Sequence, residues 1–221
     1  MIARNHRKPG SIKGFSACLM ILAAAATAYA DGTVVVARVG SEPSLRSKNS
    51  FLLPAVKEIY EYYEVCGCSE KDLQCDLKQK SCTVSNGKKY DAVTRWKIAW
   101  DYDHNREARA CHADSFRVNV EVTFRYPKWV PNGDARPELV EKWDAYLNNL
   151  IQHENRHRDI VVEAAHELSR AVAELPPAPS CAELDRSVNA LSRARMAKLI
   201  DDQNAYDALT NHGRTEGALF P

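Results

Sequence analysis

Between Phe116 and Tyr126 every second residue is apolar or aromatic, and from Pro137 onward the apolar residues recur every third or fourth. Phe116, Val118, Val120, Val122, Phe124 and Tyr126 share one face of an extended chain, and Arg117, Asn119, Glu121, Thr123 and Arg125 share the other. A period of two suits a strand with one face in a core and one in water, so the segment is expected to lie half-buried in an antiparallel sheet. Leu139, Trp143, Tyr146, Leu147, Leu150, Val161, Ala164, Leu168, Val172 and Leu175 instead fit one stripe of a helix. The period changes across Pro127, Pro131, Asn132-Gly133 and Pro137, which interrupt the strand pattern and start the helix.

The rest of the order follows from that switch. Thr33–Val39, Ile59–Val65 and Val93–Trp100 are further short apolar-alternating pieces, with Asn86-Gly87 as a turn between the second and third strands. Pro176-Pro177-Ala178-Pro179 ends the long helix over 137–175. Ser180-Cys-Ala-Glu183 is a capping box, so a second helix starts there and runs toward Thr210, with Gly213 as its stop. Strands first and helices after is an α+β arrangement: an N-terminal antiparallel sheet, a long helix and a second C-terminal helix. No repeat or linker divides residues 31–221, which are read as a single domain.

Charge and cysteine usage say where such a chain works. Residues 1–30 hold Arg4, Arg7, Lys8 and Lys13 and no acidic residue. Removing those four from the chain's 30 basic side chains leaves 26 against 29 acidic ones, and no basic patch for nucleic acid. The basic start leads into the apolar run Phe15–Ala30, closed by Ala28-Tyr29-Ala30, the small-residue pattern of a signal-peptidase site. The run is too short for a stable membrane span, which needs about 20 residues. Export to the periplasm of a Gram-negative-type bacterium, or secretion from it, is the expectation, with no stable span after cleavage. Beyond Cys18, six cysteines remain: Cys66, Cys68, Cys75, Cys82, Cys111 and Cys181. An even number in an exported chain points to disulfides. Cys66 and Cys68 are each expected to bond Cys75 or Cys82, stapling an N-terminal hairpin, with Cys111–Cys181 as a long-range bridge. A zinc knuckle of the four clustered thiols is the weaker alternative, because C-x-C is poor spacing for one.

Chemistry enters inside the long helix, at His153-Glu154-Asn155-Arg156-His157. Histidines four residues apart lie on one helical face a turn apart, so both imidazoles can reach one metal ion. The glutamate beside them can take a proton from water that a zinc ion activates. The competing view is a solvated face, since Arg156 and Arg158 are interleaved. A catalytic zinc needs a third protein ligand. Glu163 and His166 do not stand at the spacing of a ligand following the motif, which leaves Tyr206-Asp207-x-x-Thr210-x-His212-Gly213. His212 is the first choice of ligand and Asp207 the second, with Tyr206 as a hydrogen-bond donor to an oxyanion. Straight antiparallel helices folded about residue 178 would set residue 155 against residue 201. Asp207 then overshoots by about 9 Å and His212 by about 16 Å. Either the chain after Thr210 folds back or the helices pair differently, and Asp201 and Asp202 stay in play.

Several of these motifs occur together with Tyr63-Glu-Val-Cys-Gly67, Asp91-Ala-Val-Thr-Arg-Trp96, Trp100, Cys111, Pro127-Lys-Trp129 and Trp143-x-x-Tyr146-Leu147. With the His-Glu-x-x-His, Ser180-Cys181 and the YDxxTxHG ending, residues 60–221 resemble the bacterial family catalogued as domain of unknown function 922, described as predicted secreted zinc-dependent proteases. The resemblance implies an exported zincin-like metallopeptidase, with His153 and His157 as zinc ligands, Glu154 as base and His212 in the closing motif. The thiols at Cys66, Cys68, Cys75 and Cys82 depart from the family's usual pattern.

The expected activity is therefore zinc-dependent hydrolysis of a peptide or protein substrate. Two alternatives stand beside it: a non-catalytic envelope protein in which a metal only holds the helix to the sheet, and a zinc amidase acting on cell-wall peptides.

Overall fold

The computed structural model describes residues 37–38, 50–51, 53–83, 87–107 and 109–221. The basic start, the apolar run with its Ala28-Tyr29-Ala30 ending, most of the Thr33–Val39 strand and Asn86 of the expected turn lie outside the described residues.

In chain order the strands and helices are β1 (Ala37–Arg38), β2 (Ser50–Phe51), β3 (Ala55–Cys66), α1 (Glu70–Lys80), β4 (Cys82–Thr83), β5 (Lys89–Tyr90), β6 (Val93–Glu107), β7 (Ala110–Val130), α2 (Pro137–Ala173) and α3 (Cys181–Thr210). A 3-10 turn, Arg214–Glu216, follows. The order is α+β as expected, but the sheet is mixed. β6 and β7 form an antiparallel pair, while β3 runs parallel to β7 along its other side, from Ala55 opposite Asn119 to Cys66 opposite Val130. Alternation reports that one face is buried and carries no information on strand direction, which is why the antiparallel expectation for the whole sheet fails.

β7 also runs past Pro127 to Val130. Its pairing with β6 stops at Arg125, and Pro127 lies opposite Tyr63 of β3 in the stretch of β7 that β6 no longer covers. The even-numbered face of β7 forms the floor of the core: Phe116, Val118, Val120, Val122 and Phe124 are each 2% exposed or less. Leu150, Val161, Leu168 and Val172 of α2 join it in one hydrophobic cluster. Among the described residues, no helix is long and apolar enough to cross a membrane.

The cysteine segment differs from the expectation. Residues 70–80 are helical, started by Ser69, whose side chain accepts from the Asp72 amide at 3.2 Å. Cys75 lies exposed on that helix, Cys82 is buried beyond it, and Cys66, Cys68, Cys75 and Cys82 are free thiols. The expected hairpin staple is thus not formed: a capped helix occupies the chain that would have to loop back.

The long-range bridge is present. Cys111 at the start of β7 bonds Cys181 at the first turn of α3. Cys111 also exchanges two backbone hydrogen bonds with Ala178, of 2.8 and 2.9 Å, so the proline turn between the helices is fastened to the sheet. α3 starts as expected, with the Ser180 side chain accepting from the Glu183 amide at 3.2 Å. The bridge spans 70 residues. Its removal in Cys181→Ser is expected to cost about 2–4 kcal/mol of stability, read as a lower denaturant midpoint. Equal midpoints for the two proteins would contradict this.

Candidate metal centre

His153, Glu154 and His157 are only 5%, 5% and 9% exposed. The helical face carrying them is therefore not the solvated one. Arg156 points outward to Glu163, and Arg158 reaches Glu58 on β3 at 2.6 Å, tying α2 to the edge of the sheet.

α3 runs back beside α2, and its facing residues complete the cluster. Gln203 lies against His157 and Asp207 against both histidines, so the pairing centres on about residue 180, two residues later than the straight-helix expectation. Asp202 is turned away onto Lys198, and Asp201 is exposed. Asp207 Oδ1 stands 3.1 Å from His157 Nε2 and 3.5 Å from His153 Nε2, and the two Nε2 atoms are 3.3 Å apart.

The outer nitrogens are committed elsewhere. Gln203 Nε2 donates to the His157 carbonyl at 2.9 Å, which turns its Oε1 onto His157 Nδ1. An amide oxygen only accepts, so Nδ1 carries the proton and Nε2 keeps its lone pair. Glu216 Oε2 lies 2.9 Å from His153 Nδ1 and sets the same tautomer there. The two Nε2 atoms and Asp207 Oδ1 then converge on one point, where either a proton on an imidazole or a bound cation holds them together. Burial alone would lower both imidazolium pKa values, but the hydrogen bonds to Asp207 and the charge of Glu154 outweigh it and raise them. Burial likewise works against ionisation of Asp207, yet the two imidazoles hold its carboxyl well below the usual carboxylate range.

The donor set fits zinc. Tetrahedral ligands about 2.0–2.1 Å from an ion lie about 3.3 Å from one another, which matches the three separations. His153, His157 and Asp207 are the described residues whose ligand atoms gather here.

His212, the first-choice ligand from sequence, stands just outside this group. Its Nδ1 is 3.4 Å from the second oxygen of Asp207, and its Nε2 is 3.4 Å from the Tyr90 hydroxyl. The chain after Thr210 does fold back: Asn211, His212 and Gly213 take φ values of 49°, 54° and 76° in succession. Thr210 Oγ1 donates to the Tyr206 carbonyl and accepts from the Gly213 amide, at 2.9 and 3.2 Å, holding the turn. Gly213 is required twice over. Its φ is left-handed, and a Cβ there would lie 3.0 Å from His153 Cγ and 2.8 Å from Ala218 Cβ.

Tyr206, expected as an oxyanion donor, is turned from the histidines' open side. Its ring stacks on His153 at 5.0 Å between centroids, and its hydroxyl donates to Glu216. Burial and that bond push its pKa up.

Glu154 is fixed by Thr94, whose hydroxyl donates to its Oε2 at 2.6 Å. The same hydroxyl lies 3.2 Å from the Glu154 carbonyl. Around these groups opens a cleft of about 230 Å³, lined by His153, Glu154, His157, Asp207, His212 and Tyr90 among others. Gln203, Glu216, Thr94 and Tyr90 were missed by sequence reasoning. Gln203 could have been found, since it lies one turn before Asp207 on the same helical face.

The sequence pattern of a bacterial protein family of unknown function, DUF922, matches residues 60–213. The chain belongs to that family. The match takes in α1, the sheet from most of β3 onward, α2, α3 and the turn through Gly213, and it ends before Glu216. No curated protein and no solved structure matches.

Proposed function

We propose that this DUF922 protein is a zinc-dependent hydrolase of peptide bonds, with His153, His157 and Asp207 as ligands and Glu154 as general base. The observation that supports the reading is the convergence of three acceptor atoms at tetrahedral separations beside a buried glutamate in an open cleft. Zinc held there supplies Lewis acidity that makes water a nucleophile at neutral pH. Glu154 takes the proton of the attacking water and passes it to the leaving amine. Thr94 holds that carboxylate in one orientation, and Gln203 and Glu216 hold the imidazoles with Nε2 inward. Tyr90 and His212 stand on the cleft wall, where they would hydrogen-bond a developing oxyanion.

A zincin-like classification and work outside the cytoplasm belong to the same proposal. The basic–apolar start and the Cys111–Cys181 bridge support export.

Elemental analysis of purified protein is expected to find one zinc per chain, and a peptide library is expected to be cleaved until a chelator strips the metal. Absence of stoichiometric zinc would overturn the metal reading. Zinc without hydrolysis of peptides or cell-wall fragments would leave the non-catalytic alternative. Hydrolysis of cell-wall fragments alone would favour the amidase.

A further inference from the structure

We infer that Glu216, on the segment that follows α3, is a positioning residue that orients His153 for the metal; the inference rests on the metal reading above. Glu216 Oε2 accepts from His153 Nδ1 at 2.9 Å, and the Tyr206 hydroxyl donates to both of its oxygens, at 3.0 and 3.1 Å. Tyr206 at the same time stacks its ring on the His153 imidazole. The imidazole is thus gripped at its edge by a carboxylate and over its face by a phenol, and the phenol also aims the carboxylate.

The segment that brings Glu216 there is built to dock on α2. Gly213 permits close approach to the His153 ring. The Glu216 and Ala218 amides both donate to the Gly213 carbonyl at 3.0 Å, closing a tight loop. Phe220 then packs between Trp143 and Tyr146, with centroids 5.7 and 5.3 Å away, and is 6% exposed. The glutamate is therefore delivered by a strap with an aromatic anchor at its end.

The two histidines are consequently supported unequally. His157 leans on a neutral amide, Gln203, and His153 on a carboxylate, which makes its imidazole the more electron-rich donor. A metal-ligating histidine held at its other nitrogen by a carboxylate loses about 10–100-fold in metal affinity when that partner is removed.

Zinc affinity is measured by competition with a chromogenic chelator on the full chain. Glu216→Ala is expected to bind zinc about 10–100-fold more weakly than wild type, and Glu216→Gln, which keeps an acceptor and loses the charge, to fall between. Glu163→Ala, at a surface pair with Arg156, serves as the unchanged control. Nitrogen-15 shifts of the His153 ring in metal-free protein give a readout that mere structural support would not move. At a pH high enough for the ring to be neutral, wild type is expected to hold the Nδ1–H tautomer, and Glu216→Ala to show a mixture. Zinc affinity of Glu216→Ala within about twofold of wild type, with the tautomer unchanged, would overturn the inference while leaving the metal centre intact. Failure of wild type to bind zinc would overturn both.

Discussion

Glu154→Gln is expected to lower peptide hydrolysis by about 10²–10⁴-fold while zinc content stays at the wild-type level. The substitution is nearly isosteric, and the Thr94 hydroxyl that donates to Glu154 Oε2 can donate equally to an amide oxygen. The orientation of the side chain, the packing of α2 against β6 and the three ligand atoms are all kept. What is lost is the ability to accept a proton from water, and the Asp207 carboxylate does not replace it, because it is already engaged by His153, His157 and His212. The measurement is a turnover number for wild type and variant beside zinc content for both. Equal turnover at equal zinc would remove Glu154 from the chemistry, whatever the metal does.

The second large effect separates the two candidates for third ligand. Asp207→Asn is expected to weaken zinc binding by more than the roughly 10–100-fold that an outer hydrogen-bond partner contributes. His212→Ala, in contrast, is expected to keep stoichiometric zinc. The reason lies in which oxygen faces what: Asp207 Oδ1 is shared between the two inward Nε2 atoms, and Oδ2 faces His212. Asparagine leaves the volume intact but replaces the charged oxygen that neutralises a dication. His212→Ala removes only a contact on the far oxygen and a ring at the cleft wall. Zinc retained by Asp207→Asn and lost by His212→Ala would restore His212, the first choice of ligand from the sequence.

The pair His153 and His157 with Glu154 was legible because helical geometry is local: residues four apart share a face whatever the rest of the chain does. The capping box at Ser180 and the Cys111–Cys181 bridge were legible for similar reasons, one from a short motif and the other from parity of cysteines. Asp207, the proposed third ligand, was not, because its place depends on where two helices meet. A shift of two residues in the turn at 176–180 decides whether Asp207 falls beside His153 or beyond it. The parallel pairing of β3 with β7 was invisible for a related reason, since alternation fixes a face and not a direction. α1 was hidden because Cys75 within it, with Cys66 and Cys68 before it and Cys82 after it, reads as a disulfide cluster, although Ser69 caps a helix there. Glu216 lies past the YDxxTxHG ending, reached only through the left-handed turn at 211–213.

The proline turn between α2 and α3 sets the phase of the centre. Ala178 is bridged to Cys111, and Cys181 is covalently held by the same residue, so α3 leaves that corner at one angle and one height. Asp207 lies about 39 Å farther along the helix, and each residue added or removed between Cys181 and Asp207 would rotate it by about 100° about the helix axis. The corner behaves as the index mark of a dial whose pointer is a carboxylate. The number of helical residues between Cys181 and Asp207 then matters to the proposed metal centre as much as the identity of its ligands.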